Sequence, residues 1–290
     1  MPNRESNTLP VALTIAGFDP SGGAGIVADI KTFTAFNCFA VAAVTSLTFQ
    51  NTVGVFGAAH QMAETVRAQV LPVVEDFSIA CAKTGMLPTR EVIAEVARLF
   101  RETSLPAPVV DPVVRSTSGY DLIDDEALAA LVAELVPLAR IVTPNIPEAE
   151  RITGLTIEDE EGMRRAARAM REMGARAVLV KGGHLKNSYE GGGLRDEDGR
   201  ETKSVLSALD LLDTEGRVTL FRGEWIESTS THGTGCTLSA AIAACLGRGL
   251  SLEKSIETAK RFVTDAIRHA PGLGHGHGPI NAGKAVTGDK

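Results

Sequence analysis

Thr231-His232-Gly233-Thr234-Gly235-Cys236 is the segment of this chain best suited to chemistry. Gly233 and Gly235 free the backbone just before a long apolar run. A helix starting there points unpaired amides outward, forming an anion hole for phosphate oxygens as charge develops. Cys236 falls in the first turn. The helix field at that position lowers a thiol pKa, and a thiolate can take a proton from a substrate hydroxyl. The alternative reading of Cys236 is a small buried side chain closing a helix, as for Cys245; the spacing favours the functional reading.

A second glycine-rich segment runs Gly17-Phe18-Asp19-Pro20-Ser21-Gly22-Gly23-Ala24-Gly25. It lies between a strand-like and a helix-like run, where glycines let backbone approach a ligand closely. It has neither the spacing of a dinucleotide fingerprint nor the lysine of a Walker A loop. Alone it fits a ligand loop and a tight structural turn equally.

Further polar residues recur just past short apolar runs. Val11 to Ala16 leads into Gly17 and Asp19. Ile79 to Ala82 leads into Lys83, Thr84, Gly85 and Met86. Val109-Val110 leads into Asp111, Ile141-Val142 into Thr143, Pro144 and Asn145, and Val178 to Val180 into Lys181. In a parallel sheet these ends lie along one edge, and ligands bind there.

The elements that must position these residues follow from the apolar pattern. Strands are predicted over Leu9–Ala16, Phe39–Phe49, Val53–Ala59, Ile79–Ala82 and Ala177–Val180, with two more through Val109-Val110 and Ile141-Val142. Helices are predicted over Gly25–Phe36, Gln61–Val73, Thr89–Thr103, Asp124–Val136, Glu158–Met173, Gly235–Leu246 and Ser251–Ala270. Such alternation argues for an α/β fold with a largely parallel sheet. Gly235–Leu246 is apolar nearly all round and should be buried. Ser251 is a predicted N-cap with an incomplete capping box, since Lys254 stands at the third position. Met1 to Thr8 reads as a loose tail, and Lys186 to Ser204, with Gly191 to Gly193, as a mobile loop or irregular hairpin. No domain boundary is evident, so residues 1–290 read as a single domain.

Bulk composition narrows the class. A hydrophobic content of 44% allows a sizeable core, and a net charge of -7 speaks against a general nucleic-acid binder. No apolar run is long enough to span a bilayer, so no membrane partner is expected. The start lacks the charged-then-apolar order of a signal peptide. The four cysteines lack CxxC spacing, which fits a reduced cytoplasmic protein better than a disulfide scaffold.

Over nearly its full length the chain resembles the hydroxymethylpyrimidine/phosphomethylpyrimidine kinases of thiamine biosynthesis, in the ribokinase-like superfamily. Ala16 to Gly25, followed by Ala28-Asp29-Ile30-Lys31-Thr32, is similar to the amino-terminal signature of that family. Gln50-Asn51-Thr52, Lys83-Thr84-Gly85-Met86, Val110-Asp111-Pro112-Val113, Thr143 to Glu150, Val180-Lys181-Gly182-Gly183-His184, Thr231 to Ser239 and Gly274 to Pro279 follow in family order.

The resemblance implies a ribokinase-like three-layer α/β/α sandwich with a mainly parallel central sheet. It implies an enzyme that phosphorylates a hydroxymethylpyrimidine and then its monophosphate from ATP with Mg2+. Gly17, Asp29, Gln50, Met86, Val113 and Cys236 would line the pyrimidine pocket. Asp111, Asn145 and Glu148 would hold Mg2+ and its waters. Lys181 would neutralise phosphate charge, with Thr231, Gly233 and Gly235 at the nucleotide. Gly233, Thr234, Gly235 and Cys236 would form the transfer centre, Cys236 standing where most of the superfamily carries an aspartate base. A homodimer is the family's usual state, and a monovalent cation is left open as a further helper. A pyridoxal kinase of the same cysteine-containing subgroup is the nearest rival. A nucleotide-binding regulatory protein without catalysis is a rival of another class.

Overall fold

Neighbouring residues of the central strands enter different cores. Val109, Ile141, Ala177 and Leu179 lie in one apolar cluster; Val110, Val142, Val178 and Val180 lie in another. A strand buried on both faces needs no polar side, and this explains the unbroken apolar runs in the sequence. The computed structural model describes residues 9–116, 119–183 and 207–284. The tail over 1–8 and the loop over 186–204 lie outside the described residues.

The strands are β1 (Val11–Phe18), β2 (Phe39–Gln50), β3 (Val55–His60), β4 (Ile79–Thr84), β5 (Val109–Val110), β6 (Ile141–Val142), β7 (Ala177–Lys181), β8 (Ser207–Thr214) and β9 (Arg217–Glu224). They form one nine-stranded sheet in the order β3-β2-β1-β4-β5-β6-β7-β8-β9. From β2 to β7 every neighbouring pair is parallel; β3, β8 and β9 add antiparallel margins. This is the mainly parallel α/β sheet expected from the alternation, in the three-layer arrangement that the resemblance implies.

The helices are α1 (Gly25–Ala35), α2 (Ala63–Asp76), α3 (Arg90–Glu102), α4 (Asp125–Ala130), α5 (Ile146–Thr153), α6 (Glu160–Glu172), α7 (Thr234–Gly247) and α8 (Leu252–Arg268). One cluster gathers α7 and α8 with Phe33 of α1; the other gathers residues of α2 to α6. Helix α7 is buried from Thr237 to Cys245, as its all-round apolar sequence requires. Its alanines let it pack closely against α1, α8 and the sheet. Ser251 caps α8 by accepting from the Lys254 amide.

Three regions depart from the sequence pattern. Strands β8 and β9 form a hairpin whose first strand carries Asp210 and Asp213, which break the apolar signal. Both are buried: Asp210 accepts from Lys260 Nζ and the Gly182 amide, and Asp213 lies 3.7 Å from Arg171. Helix α5 spans only eight residues, too few for a period to show. The helix predicted over Asp124–Val136 is α-helical only to Ala130. It then widens into a π turn (Leu131–Leu135) and tightens into a 3-10 turn at Val136–Leu138. Pro137 supplies no amide there.

Ala241 has no exposed surface. The variant Ala241→Leu overfills this site and is expected to lower stability by about 1–3 kcal/mol. Urea unfolding checks it: the midpoint should fall with the slope unchanged, and an unchanged midpoint refutes close packing of α7.

Candidate active site

The two glycine-rich loops meet face to face. A Cβ on Gly233 would lie 1.8 Å from the Gly23 carbonyl oxygen, and Gly233 has φ +82°. Only glycine adopts that conformation readily at so close an approach. Asp19 secures the contact from the other loop. Its carboxylate accepts from the Ser21 amide (2.8 Å) and hydroxyl (2.7 Å), and from the Gly23 (3.1 Å) and Ala24 (2.8 Å) amides. It also lies 2.8 Å from His232 Nε2. A carboxylate only accepts, so Nε2 carries the proton. Burial opposes the Asp19 charge, but bonds from His232, Ser21 and Gln50 outweigh it and hold the carboxyl well below the usual range. His232 therefore orients the loop.

A line of alternating charges lies beneath the start of α7. Lys181, at the end of β7, donates to Asp111 Oδ1 at 3.2 Å. The hydroxyl of Ser239 donates to Asp111 Oδ2 at 3.3 Å. A Cβ on Gly235 would lie 3.2 Å from Lys181 Nζ, so the helix start sits directly over this ion pair. Burial would raise the Asp111 pKa, but Lys181 and Lys83 lower it overall. Burial would lower the Lys181 pKa, but Asp111 and Glu148 raise it. Glu148 stands at about 7: burial raises it, Lys181 pulls it down, and Asp111 pushes it up.

Asn145 and Glu148 form a complete capping box at the start of α5. The Asn145 side chain accepts from the Glu148 amide (2.9 Å), and Glu148 Oε2 accepts from the Asn145 amide (2.8 Å). Asn145 thus fixes Glu148 in place. Among the described residues no three His, Cys, Asp or Glu side chains gather as a metal cage. Asp111 and Glu148 offer two carboxylates near one lysine. That set suits Mg2+, which takes one or two carboxylates and completes its shell with water and phosphate.

Gly17 lies against Met86, whose Sδ would stand 3.0 Å from a Cβ at Gly17. Thr45 Oγ1 holds this wall by donating to the Met86 carbonyl at 2.6 Å. The half-buried Val113 follows Asp111 by two residues, its amide donating to the Asp111 carbonyl. Gln50, the last residue of β2, turns toward Asp19. The C-terminal Gly274 to Pro279 segment closes this side. Thr52 Oγ1 accepts from the amides of His275 and Gly276, and the Gly278 carbonyl accepts from the His232 amide.

Asp29 lies behind the wall, with no exposed surface. It accepts from Thr14 Oγ1 at 2.6 Å and from Lys83 Nζ at 2.9 and 3.1 Å. Burial raises the Asp29 pKa against the pull of Lys83. Burial alone would lower the Lys83 pKa, but Asp29, Cys236 and Asp111 raise it. We take the pair as charged, because all three contacts to Asp29 are donated. Lys83 sits at a predicted strand end but drew no role from the sequence. Its signal was a charge within an otherwise apolar strand, which demands a buried partner.

Cys236 corrects one expectation. Its thiol is not depressed by the helix start. Burial pushes it up to about 12; Lys83 pulls it down, while Asp111 and Asp29 push it further up. A helix terminus is worth only about 0.3–1 kcal/mol to a nearby charge, less than the cost of burying an anion beside two carboxylates. Thr231 lies at the mouth of the same loop, its carbonyl accepting from the Thr234 amide at 3.3 Å.

A family model described as phosphomethylpyrimidine kinase matches residues 19–281. The chain belongs to that family. The hydroxymethylpyrimidine/phosphomethylpyrimidine kinase of Haemophilus influenzae is 41% identical over 269 residues, covering 93% of this chain and 95% of that protein. The Bacillus subtilis protein of the same name is 41% identical over 270 residues, covering 93% of each chain. The solved phosphomethylpyrimidine kinase of Clostridium difficile superposes with a TM-score of 0.74 at 36% identity, covering 90% of this chain and 100% of that one. An ADP complex of Bacillus subtilis pyridoxal kinase gives 0.82 at 32% identity, covering 95% and 98%.

In this family member, Lys83→Met leaves Asp29 buried and unpaired. Stability is expected to fall by about 3–5 kcal/mol, and Asp29→Leu added to it should restore most of the loss. Chemical unfolding of the two variants checks this; a single variant as stable as the wild type would show that the pair carries no charge.

Proposed function

We propose that the protein transfers the terminal phosphoryl group of ATP to the hydroxymethyl group of 4-amino-5-hydroxymethyl-2-methylpyrimidine, then to the resulting monophosphate. The observation that carries this reading is the meeting of Lys181, Asp111 and Gly235 beneath the start of α7. Unpaired amides and an ammonium converge there, as transfer of an anionic group needs. Kinase activity and the thiamine-pathway family follow from the family match.

Gly17, Met86 and Val113 would take the methyl-bearing ring. Gln50, held toward Asp19, would meet the aminopyrimidine edge with its amide. Asp29 would act through Lys83, keeping the floor of the pocket charged and rigid. Gly233, Thr234 and Gly235 would hold the transferring oxygens, and Lys181, with Thr231 at the loop mouth, the phosphates of the donor. Asp111 and Glu148 would bind Mg2+, with Asn145 fixing Glu148; the ion would supply charge neutralisation on the phosphates. One kinase domain, a homodimer and a cytoplasmic setting belong to the same reading.

Cys236 would act as a neutral thiol. Generating its thiolate at pH 7 from a pKa of about 12 costs about 7 kcal/mol. General-base assistance returns only about 3–5 kcal/mol. The neutral thiol would therefore position the acceptor oxygen by a hydrogen bond and leave the proton to another group: as the new oxygen–phosphorus bond forms and the bond to ADP breaks, the hydroxyl proton would pass to an oxygen of the transferring phosphoryl group. A loose transition state asks little more of a base.

Cys236→Ala removes one positioning hydrogen bond and is expected to lower kcat about tenfold, with the fold retained. A thiol pKa raised to about 12 keeps the group protonated throughout neutral pH. The kcat–pH profile should therefore show no inflection lost in this variant between pH 6 and pH 9. An inflection near neutrality that disappears in Cys236→Ala would establish a thiolate base instead.

The second reading is a pyridoxal kinase, favoured by structural superpositions of 0.82 to the pyridoxal kinases. Sequence identity runs the other way, 41% to the pyrimidine kinases against 28–32% to these structures. Pocket differences of this kind discriminate by about 1–3 kcal/mol, so side activity is expected. Comparing kcat/KM for the two alcohols with ATP and Mg2+ decides. A higher value for the pyrimidine is expected; a strong preference for pyridoxal refutes the first reading.

A further inference from the structure

The nucleotide side of the active edge carries an aromatic face with no assigned role. Trp225 is the chain's one tryptophan. It follows β9 directly and is 40% exposed. Strands β7 and β9 are both antiparallel to β8, so both end on the edge where Lys181 stands. The ring lies over the backbone past β7: its Cζ3 is 3.7 Å from where a Cβ on Gly183 would be.

Strand alternation places this ring on the same face as the anion hole. Leu179 lies in the core under α7 and α8; two residues on, Lys181 reaches Gly235 of α7. Gly183 continues that row. On β9, Phe221 lies in the same core and Gly223 faces Lys260 of α8. Trp225 continues that row. Two independent strands therefore bring Lys181, Gly183 and Trp225 to one face of one edge.

The spacing suits a nucleotide. Strands β7 and β9 are two neighbours apart, about 10 Å. Phosphates held by Lys181 and Gly235 have the acceptor wall of Gly17, Met86 and Val113 on the side of β1, β4 and β5. The rest of the donor must run the other way, across the ends of β8 and β9. We propose that Trp225 stacks on the adenine base of the phosphoryl donor, with Gly182 and Gly183 keeping the path to it open. This rests on the reading of Lys181 and Gly235 as the phosphate site. An indole offers a flat apolar face to any base, so it contributes affinity for the base without taking part in the transfer.

The single tryptophan makes the test direct. Emission of the wild-type protein is recorded while ADP with Mg2+ is added, and separately tripolyphosphate with Mg2+, which carries phosphates but no base. Emission should change with ADP and stay constant with tripolyphosphate. In steady-state kinetics, Trp225→Leu should raise the KM for ATP about tenfold or more with kcat within about twofold. The KM for the pyrimidine should not move, and Trp225→Phe should recover most of the loss. Unchanged emission with ADP, or a wild-type KM for ATP in Trp225→Leu, overturns the stacking while leaving the phosphate site standing. ADP-dependent emission without any turnover of ATP would do the opposite, keeping the stacking and refuting the proposed activity.

Discussion

The contact between the Gly23 carbonyl and Gly233 is the constraint on which the site depends. It brings the loop after β1 against the loop before α7, though more than 200 residues of chain separate them. Any side chain at Gly233 would enter the space of that carbonyl. Asp19 then locks the approach, since its carboxylate collects four donors from its own loop and one from His232. With the loops so fixed, the amides at the start of α7 have one orientation, and Lys181 and Asp111 lie directly beneath them. A preorganised hole of this kind spends little energy on reorganisation when charge develops.

Charge alternation makes the buried polar floor tolerable. Asp29, Lys83, Asp111, Lys181 and Glu148 are all largely withdrawn from water, and an unpaired charge there would cost several kcal/mol. Each lysine lies between carboxylates that hold it charged. The thiol of Cys236 shares the space and stays neutral chiefly because burial disfavours its anion; Lys83 opposes this, and Asp111 and Asp29 add to it.

Much of this was legible in the residues. Strands buried on both faces write continuous apolar runs, and a parallel sheet then puts their ends on one edge. Gly17, Lys83, Asp111, Asn145 and Lys181 were found in that way, and the structure brings them to that edge. The hairpin of β8 and β9 was not legible, because Asp210 and Asp213 interrupt its pattern and find their partners on α8 and α6. Helix α5 was too short to show a period, although its Asn145–Glu148 cap was visible as a motif. The change to π and 3-10 geometry after Ala130 left no mark except Pro137.

What the sequence by itself determined was the class of fold, the row of functional residues and the family. Those depend on periodicity, glycine spacing and ordered motifs, which are local properties of a chain. Only the tertiary structure decided which charges touch. It put Asp29 behind the pocket wall with Lys83, gave Asn145 a capping task, and set the Cys236 thiol at about 12 against the expectation from its helix position. The reason is physical. A helix start acts on its own first turn and can be read from neighbours in sequence. Desolvation and the fields of Lys83, Asp29 and Asp111 come from strands and helices far away along the chain, and they outweigh it.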